Sequence, residues 1–123
     1  MILIEKIGDE IHEHFTDNQA LFPNAIPYDE STLPDNEFRN AWDLVNGVVS
    51  IDLPKAKEIK KESLRHKRIP LLAEQDVLFQ RALESGADTT AIIAEKQRLR
   101  DITILCDTAT SIDELKAINI SND

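Results

Sequence analysis

The stretch LLAEQDVLFQRALESGADTTAIIAEKQRLRDITILC, residues 71–106, decides the reading of this 123-residue chain. Its first part sets apolar residues in pairs, Leu71 with Leu72, Leu78 with Phe79 and Ala82 with Leu83, which predicts an amphipathic helix over 71–85. Gly86 follows at the place where a residue without a Cβ ends a helix in the left-handed conformation. Asp88 or Thr89 then caps a second helix of about 90–106, with Ile92, Ile93, Leu99, Ile102 and Cys106 inward. Only residues 86–88 separate the two, so they form an antiparallel helical hairpin.

Upstream, Asp52 caps a helix whose first turn carries Pro54, where the missing N–H does no harm. Pro70 disfavours its continuation, so it ends near Arg68. RNAWDLVNGVVSID, residues 39–52, reads as a β-hairpin turning at Asn46-Gly47, with Trp42, Leu44, Val49 and Ile51 on the buried face. Ser111-Ile-Asp-Glu114 is a capping box that opens a short helix, 112–118. At the other end, Ile4, Ile7, Ile11 and Phe15 recur at spacings of three and four and predict a helix over 2–15, with a short strand over 2–5 as the alternative. Residues 16–38 hold Pro23, Pro27 and Pro34, which remove backbone donors and predict an extended segment. The expected fold is mainly α: an antiparallel helical hairpin plus flanking helices, one small β-hairpin and an extended Pro-rich segment. Residues 1–38 would be an N-terminal helix and arm, and 39–123 the hairpin and helical domain.

The net charge of −9 is unevenly spread. Residues 1–50 hold ten acids against two bases, 51–70 three against seven, and 71–123 ten against five. Such a chain repels nucleic acid over most of its length. The single cysteine, Cys106, excludes an internal disulfide. No apolar run approaches the roughly 18 residues that span a bilayer, so no membrane partner is expected. The first ten residues are too short and too acidic to read as a signal peptide.

Catalysis finds little support in the pattern. No Gly-Xaa-Ser-Xaa-Gly elbow and no phosphate-cradling glycine loop occurs, and no carboxylate pair stands out by spacing, so no enzyme and no cofactor is expected. His12 and His14 invite a metal reading, but on a helix positions i and i+2 point about 200° apart. Only on a strand would the two imidazoles align, and no metal is expected. The basic run KAKEIKKESLRHKR, residues 55–68, is read first as a solvated helix, then as a contact for an acidic partner. The alternative is a small regulatory or nucleic-acid-binding protein using this helix, but no aromatic interleaves the run to stack on bases. In the Pro-rich segment Phe22, Ile26, Tyr28 and Leu33 are spaced as a partner's groove would accept them, or they pack back on the chain's own core.

Residues 63–103 resemble the tail assembly chaperone-like proteins encoded beside tail-fibre genes in many phages and prophages. The likeness rests on Arg65, Arg68, Leu71, Leu72, Asp76, Lys96, Gln97, Leu99, Arg100, Asp101 and Ile102, with the Trp42–Asp52 hairpin and Ser111–Lys116 in support. It covers roughly half the chain. Such proteins often carry Thr-Asp-Trp after the leucine pair, where this chain has Gln75-Asp76-Val77. The resemblance implies a protein that binds a phage tail or tail-fibre protein, or copies of itself. It acts in the host cytoplasm during assembly or stays in the virion tail. It leaves Arg65, Arg68 and Arg100 to pair with carboxylates, within the hairpin or across an interface.

Overall fold

In the computed structural model residues 2–16 and 18–121 are described. The first elements are strands, β1 (Ile2–Ile7) and β2 (Glu10–His14). A third strand, β3 (Ile26–Tyr28), lies in the Pro-rich segment, and β4 (Trp42–Val45) and β5 (Val48–Ile51) follow. Among the described residues four α-helices complete the order: α1 (Leu53–Ser85), α2 (Thr90–Asp101), α3 (Ile104–Thr108) and α4 (Ile112–Lys116). The chain forms two compact units, one ending at Ile59 and the next beginning at Lys60, so the boundary falls inside α1.

The mainly α expectation is overturned by two antiparallel sheets in the first unit, one ordered β2-β1-β3 and the other β4-β5. The amphipathic helix expected over 2–15 is a β-hairpin. Ile7 pairs with Glu10 across the two-residue loop Gly8-Asp9, and Gly8 has φ +61°. A positive φ at the first loop residue matches the right-handed twist of the flanking strands, and glycine adopts it at little cost. Burial explains why the strand wins: Ile2, Leu3 and Ile4 are all buried, so both faces of β1 are covered. The Pro-rich segment is not simply extended. It makes 3-10 turns at Gln19–Leu21 and Glu30–Thr32, capped by the side chains of Asn18 and Asp29. Pro27 stands opposite Leu3 in β3, an edge strand, where a residue without an N–H is tolerated.

The hairpin β4-β5 follows the sequence closely. Asn46 and Gly47 both have positive φ, and Trp42, Leu44, Val49 and Ile51 share one face. Trp42 and Val49 are buried with Ile2 and Ile4, and Ile11, Tyr28, Leu33, Leu44 and Ile51 pack around them. The core of this unit therefore lies between the two sheets.

The two helices expected on either side of Pro70 are one helix of 33 residues. Pro70 and His66 are both exposed, so the His66 carbonyl that loses its helical donor faces water rather than the protein interior. At the other end of α1 the expected cap is present. Gly86 has φ +72°, its N–H donates to Leu83 O at 3.3 Å, and the N–H of Ala87 donates to Ala82 O at 2.8 Å. Asp88 accepts from the N–H and the hydroxyl of Thr90 at 3.0 and 2.7 Å, and these bonds hold its carboxyl below the ordinary range. The helix expected over 90–106 ends at Asp101 and resumes as α3. The Ser111 hydroxyl caps α4 by accepting from Glu114 N–H, and the Glu114 carboxylate accepts from Thr110 N–H.

Candidate partner-binding surfaces

Three ties join α1 to the helices that follow. Lys96 Nζ lies 2.6 Å from Asp76 Oδ1, Arg68 Nη1 donates to the Arg100 carbonyl at 3.0 Å, and Lys61 pairs with Asp107. The partners step backwards along α1 (76, 68, 61) as they step forwards through 96, 100 and 107. That order makes α1 and α2 antiparallel. Leu64, Ala82, Leu99, Ile102 and Cys106 are buried in this unit.

Several residues on which the family resemblance rests have structural roles here. Asp76 and Lys96 pair with each other, and Lys96 Nζ also sits 5.1 Å from the centre of the Phe79 ring. Gln97 donates to Asp101 one turn on, at 2.9 Å, and Leu99 and Ile102 are core. Arg68 satisfies a carbonyl of the last turn of α2, a group that lacks a helical donor. Arg65 makes a long contact, 3.4 Å, with Glu62 on its own helix. Arg100 is exposed, and no Arg-to-Asp pair crosses the hairpin among the described residues. The cross-hairpin pairing role falls to Lys96 and Lys61 instead.

Phe22, Ile26, Tyr28 and Leu33 of the Pro-rich segment are half-buried, while Leu21 is exposed. Phe22 stacks on the His14 ring, centroids 3.6 Å apart and 8° from parallel. Ile26 lies opposite Ile4 in the sheet. The Tyr28 hydroxyl accepts from Val49 N–H at 3.0 Å, and Tyr28 and Leu33 pack on the inter-sheet core. Of the two placements left open by the sequence, packing on the chain's own core describes Tyr28 and Leu33.

Because β2 is a strand, His12 and His14 do share one face, contrary to the helical geometry expected. They turn to separate carboxylates: His14 Nε2 to Glu5 Oε1 at 2.8 Å, and His12 Nε2 to Glu10 Oε2 at 3.4 Å. Among the described residues no three His, Cys, Asp or Glu side chains are grouped to hold a metal.

The sequence pattern missed the exposed apolar surface of the second unit. Ile93, expected inward, is exposed, as are Leu78 and Leu83 of the apolar pairs and Ile69, Val77, Ile104 and Leu105. At 100° per residue, Ile69, Val77 and Leu83 fall within roughly 120° on the side of α1 opposite Leu64 and Ala82. Their signal was apolar residues lying off the buried stripe, at positions that a solvated helix fills with charges. No helix among the described residues is long and apolar enough to cross a membrane. No protein-family model matches the chain, and neither does any curated protein or solved structure.

Proposed function

We propose that this chain is a phage tail-module protein that works by binding another protein, either as an assembly chaperone for the tail or tail fibre or as a small tail subunit. The observation that carries the reading is a division of labour in the second unit. Asp76, Lys96, Arg68, Leu99 and Ile102, which carry the resemblance, hold the helical hairpin together. Ile69, Val77 and Leu83 are left on the opposite side of α1, where apolar side chains gain only by meeting a partner. The rival nucleic-acid reading of residues 55–68 is weakened by the contacts that Lys61, Arg65 and Arg68 make within the chain.

Mass spectrometry of purified particles tests the proposal. Stoichiometric presence supports a tail subunit. Absence from particles, together with co-purification with a tail or tail-fibre protein from infected cells, supports a chaperone. Absence from both overturns the reading. In the binding assay Ile69→Asp with Leu83→Asp should weaken co-purification by at least about tenfold while helical content is retained.

A further inference from the structure

Besides its buried stripe, α1 carries a seam on its open side. Ile69 and Leu83 are 63% and 56% exposed and stand two heptads apart. Ala73, Asp76, Gln80 and Ala87, all exposed, fill the steps between and beyond them, so the series 69, 73, 76, 80, 83, 87 alternates intervals of four and three. That is the spacing along which two helices pack side by side. Ala87 lies just past the helix and is held to it by its N–H on Ala82 O at 2.8 Å. The seam is polar at its centre, Asp76 and Gln80, and apolar at both ends. Charge along the same stretch changes sign: residues 60–70 hold five bases against one acid, and residues 71–88 four acids against one base. A parallel neighbour of the same kind would set like charges beside each other. An antiparallel one sets the basic end against the acidic end.

We propose that in the free protein this face is covered by a second copy of the chain, the two α1 helices running antiparallel about a two-fold axis level with Leu78. In that register Ile69 meets Ala87 of the second copy, Ala73 meets its Leu83, and the Asp76 carboxylate accepts from its Gln80 amide. The symmetry repeats each contact. A large side chain thus faces a small one in each apolar layer. The polar pair fixes the register, because moving the axis to Asp76 would bring the two Asp76 carboxylates together. Asp76 is open to this contact: with Lys96 beside it, its side chain is still 63% exposed. Arg65, whose contact with Glu62 is a long 3.4 Å, falls within about one turn of Asp88 of the second copy. The overlap is about 19 residues, roughly 28 Å. So small an interface gives weak, reversible pairing, with Kd on the order of 10–100 µM. The inference rests on the reading of this face as a protein contact and names its occupant when no tail protein is present. The two occupants compete for one face, so the tail protein displaces the second copy.

Sedimentation equilibrium of the full chain from about 1 to 300 µM tests the proposal. The mean mass should rise from that of one chain towards that of two. Ile69→Asp with Leu83→Asp should weaken the association at least about tenfold while helical content is retained, since both residues are exposed in the single chain. Ile104→Asp with Leu105→Asp, exposed on α3, should leave it within about twofold. Orientation is read by disulfide trapping with diamide. Ala73→Cys together with Leu83→Cys should give a covalent dimer, and either substitution alone should not, because like positions then lie about 15 Å apart along the axis. Cys106, common to all variants, is buried. One mass at every concentration, equal weakening by both aspartate double variants, or trapping of either single variant overturns the proposal. A chain that stays single at every concentration yet co-purifies with a tail protein loses this inference and keeps the proposed function. One that pairs as described but is absent from particles and holds no tail protein keeps this inference and loses the proposed function.

Discussion

Lys96 reaches from α2 to Asp76 on α1, Nζ to Oδ1 2.6 Å, and lies over the ring of Phe79, one turn further along α1. The two ends of this contact are unequally placed. The Lys96 side chain is 17% exposed and that of Asp76 63%. An ion pair with one end so open to water contributes little by itself. Lys96→Ala also removes the cation from the ring and the packing of its stem, so it should cost about 1–1.5 kcal/mol. Asp76→Ala should cost about 0.5 kcal/mol or less. Urea unfolding of the two variants measures the difference, and equal losses would mean that the ring contact adds nothing.

Pro70 sits inside α1 on an exposed face. Proline in a helix interior is unfavourable by about 3 kcal/mol relative to alanine. Pro70→Ala should therefore stabilise the protein by about 1–3 kcal/mol and raise its melting temperature. Were the helix broken at this point in solution, the substitution would bring no gain.

Gly86 ends α1 with φ +72°, and nothing lies within 4 Å of where a Cβ would stand. Gly86→Ala should accordingly cost about 1 kcal/mol from backbone conformation alone, with no steric contribution. Thermal unfolding monitored by circular dichroism measures the loss.

Arg98 ties the end of the described chain to α2. It forks onto Glu95 at 2.6 and 2.9 Å and donates to the Ile120 carbonyl at 2.7 Å, while Ile120 is buried. Arg98→Ala should cost about 1–2 kcal/mol. It should also speed amide hydrogen exchange over residues 117–121 more than over α2.

Acid should destabilise the first unit through Asp43 and the second through Asp88. The hydrogen bond and charge of Lys6, 2.9 Å away, hold the Asp43 carboxyl below its ordinary 3.8, and the bonds from Thr90 do the same for Asp88. A carboxyl with a lowered value contributes stability that is present above pH 3.8 and is lost as the pH falls below it. Lys6 is raised above 10.5 by Asp43, so its share is present below that pH and is lost as the pH climbs past it. Asp43→Asn and Asp88→Asn should each flatten the fall in melting temperature between pH 4 and 2, and an unchanged fall would contradict the assignment.

Local signals with a steric basis were legible in the sequence. Asn46-Gly47 turns β4 into β5, Gly86 ends a helix and Ser111 begins one, because each depends on a few adjacent atoms. Gly8-Asp9 carried a hairpin signal of the same kind, but Ile4, Ile7 and Ile11 also fit a helical period. The choice was made by burial of β1 on both faces, which no local pattern records. Pro70 misled for a related reason: its penalty is local, whereas the burial of Leu64 and Ala82 on either side of it is not. The surfaces were the least legible part. Leu83 stands 100° round the helix from buried Ala82, so an apolar pair did not mean a shared face, and no local pattern records how far the neighbouring helices cover Ile93. The cleft lined by residues 9–13 and by Arg39, Asn40 and Trp42 joins positions about thirty apart through a hairpin that was expected to be helix.

The central claim is that this chain acts by holding another protein, and co-expression with candidate tail and tail-fibre proteins tests that most directly. Size-exclusion chromatography with light scattering, at micromolar concentration and physiological salt, should give one species whose mass is the sum of both chains. Two separate peaks for every protein of the tail module, each at its own mass, would contradict the claim.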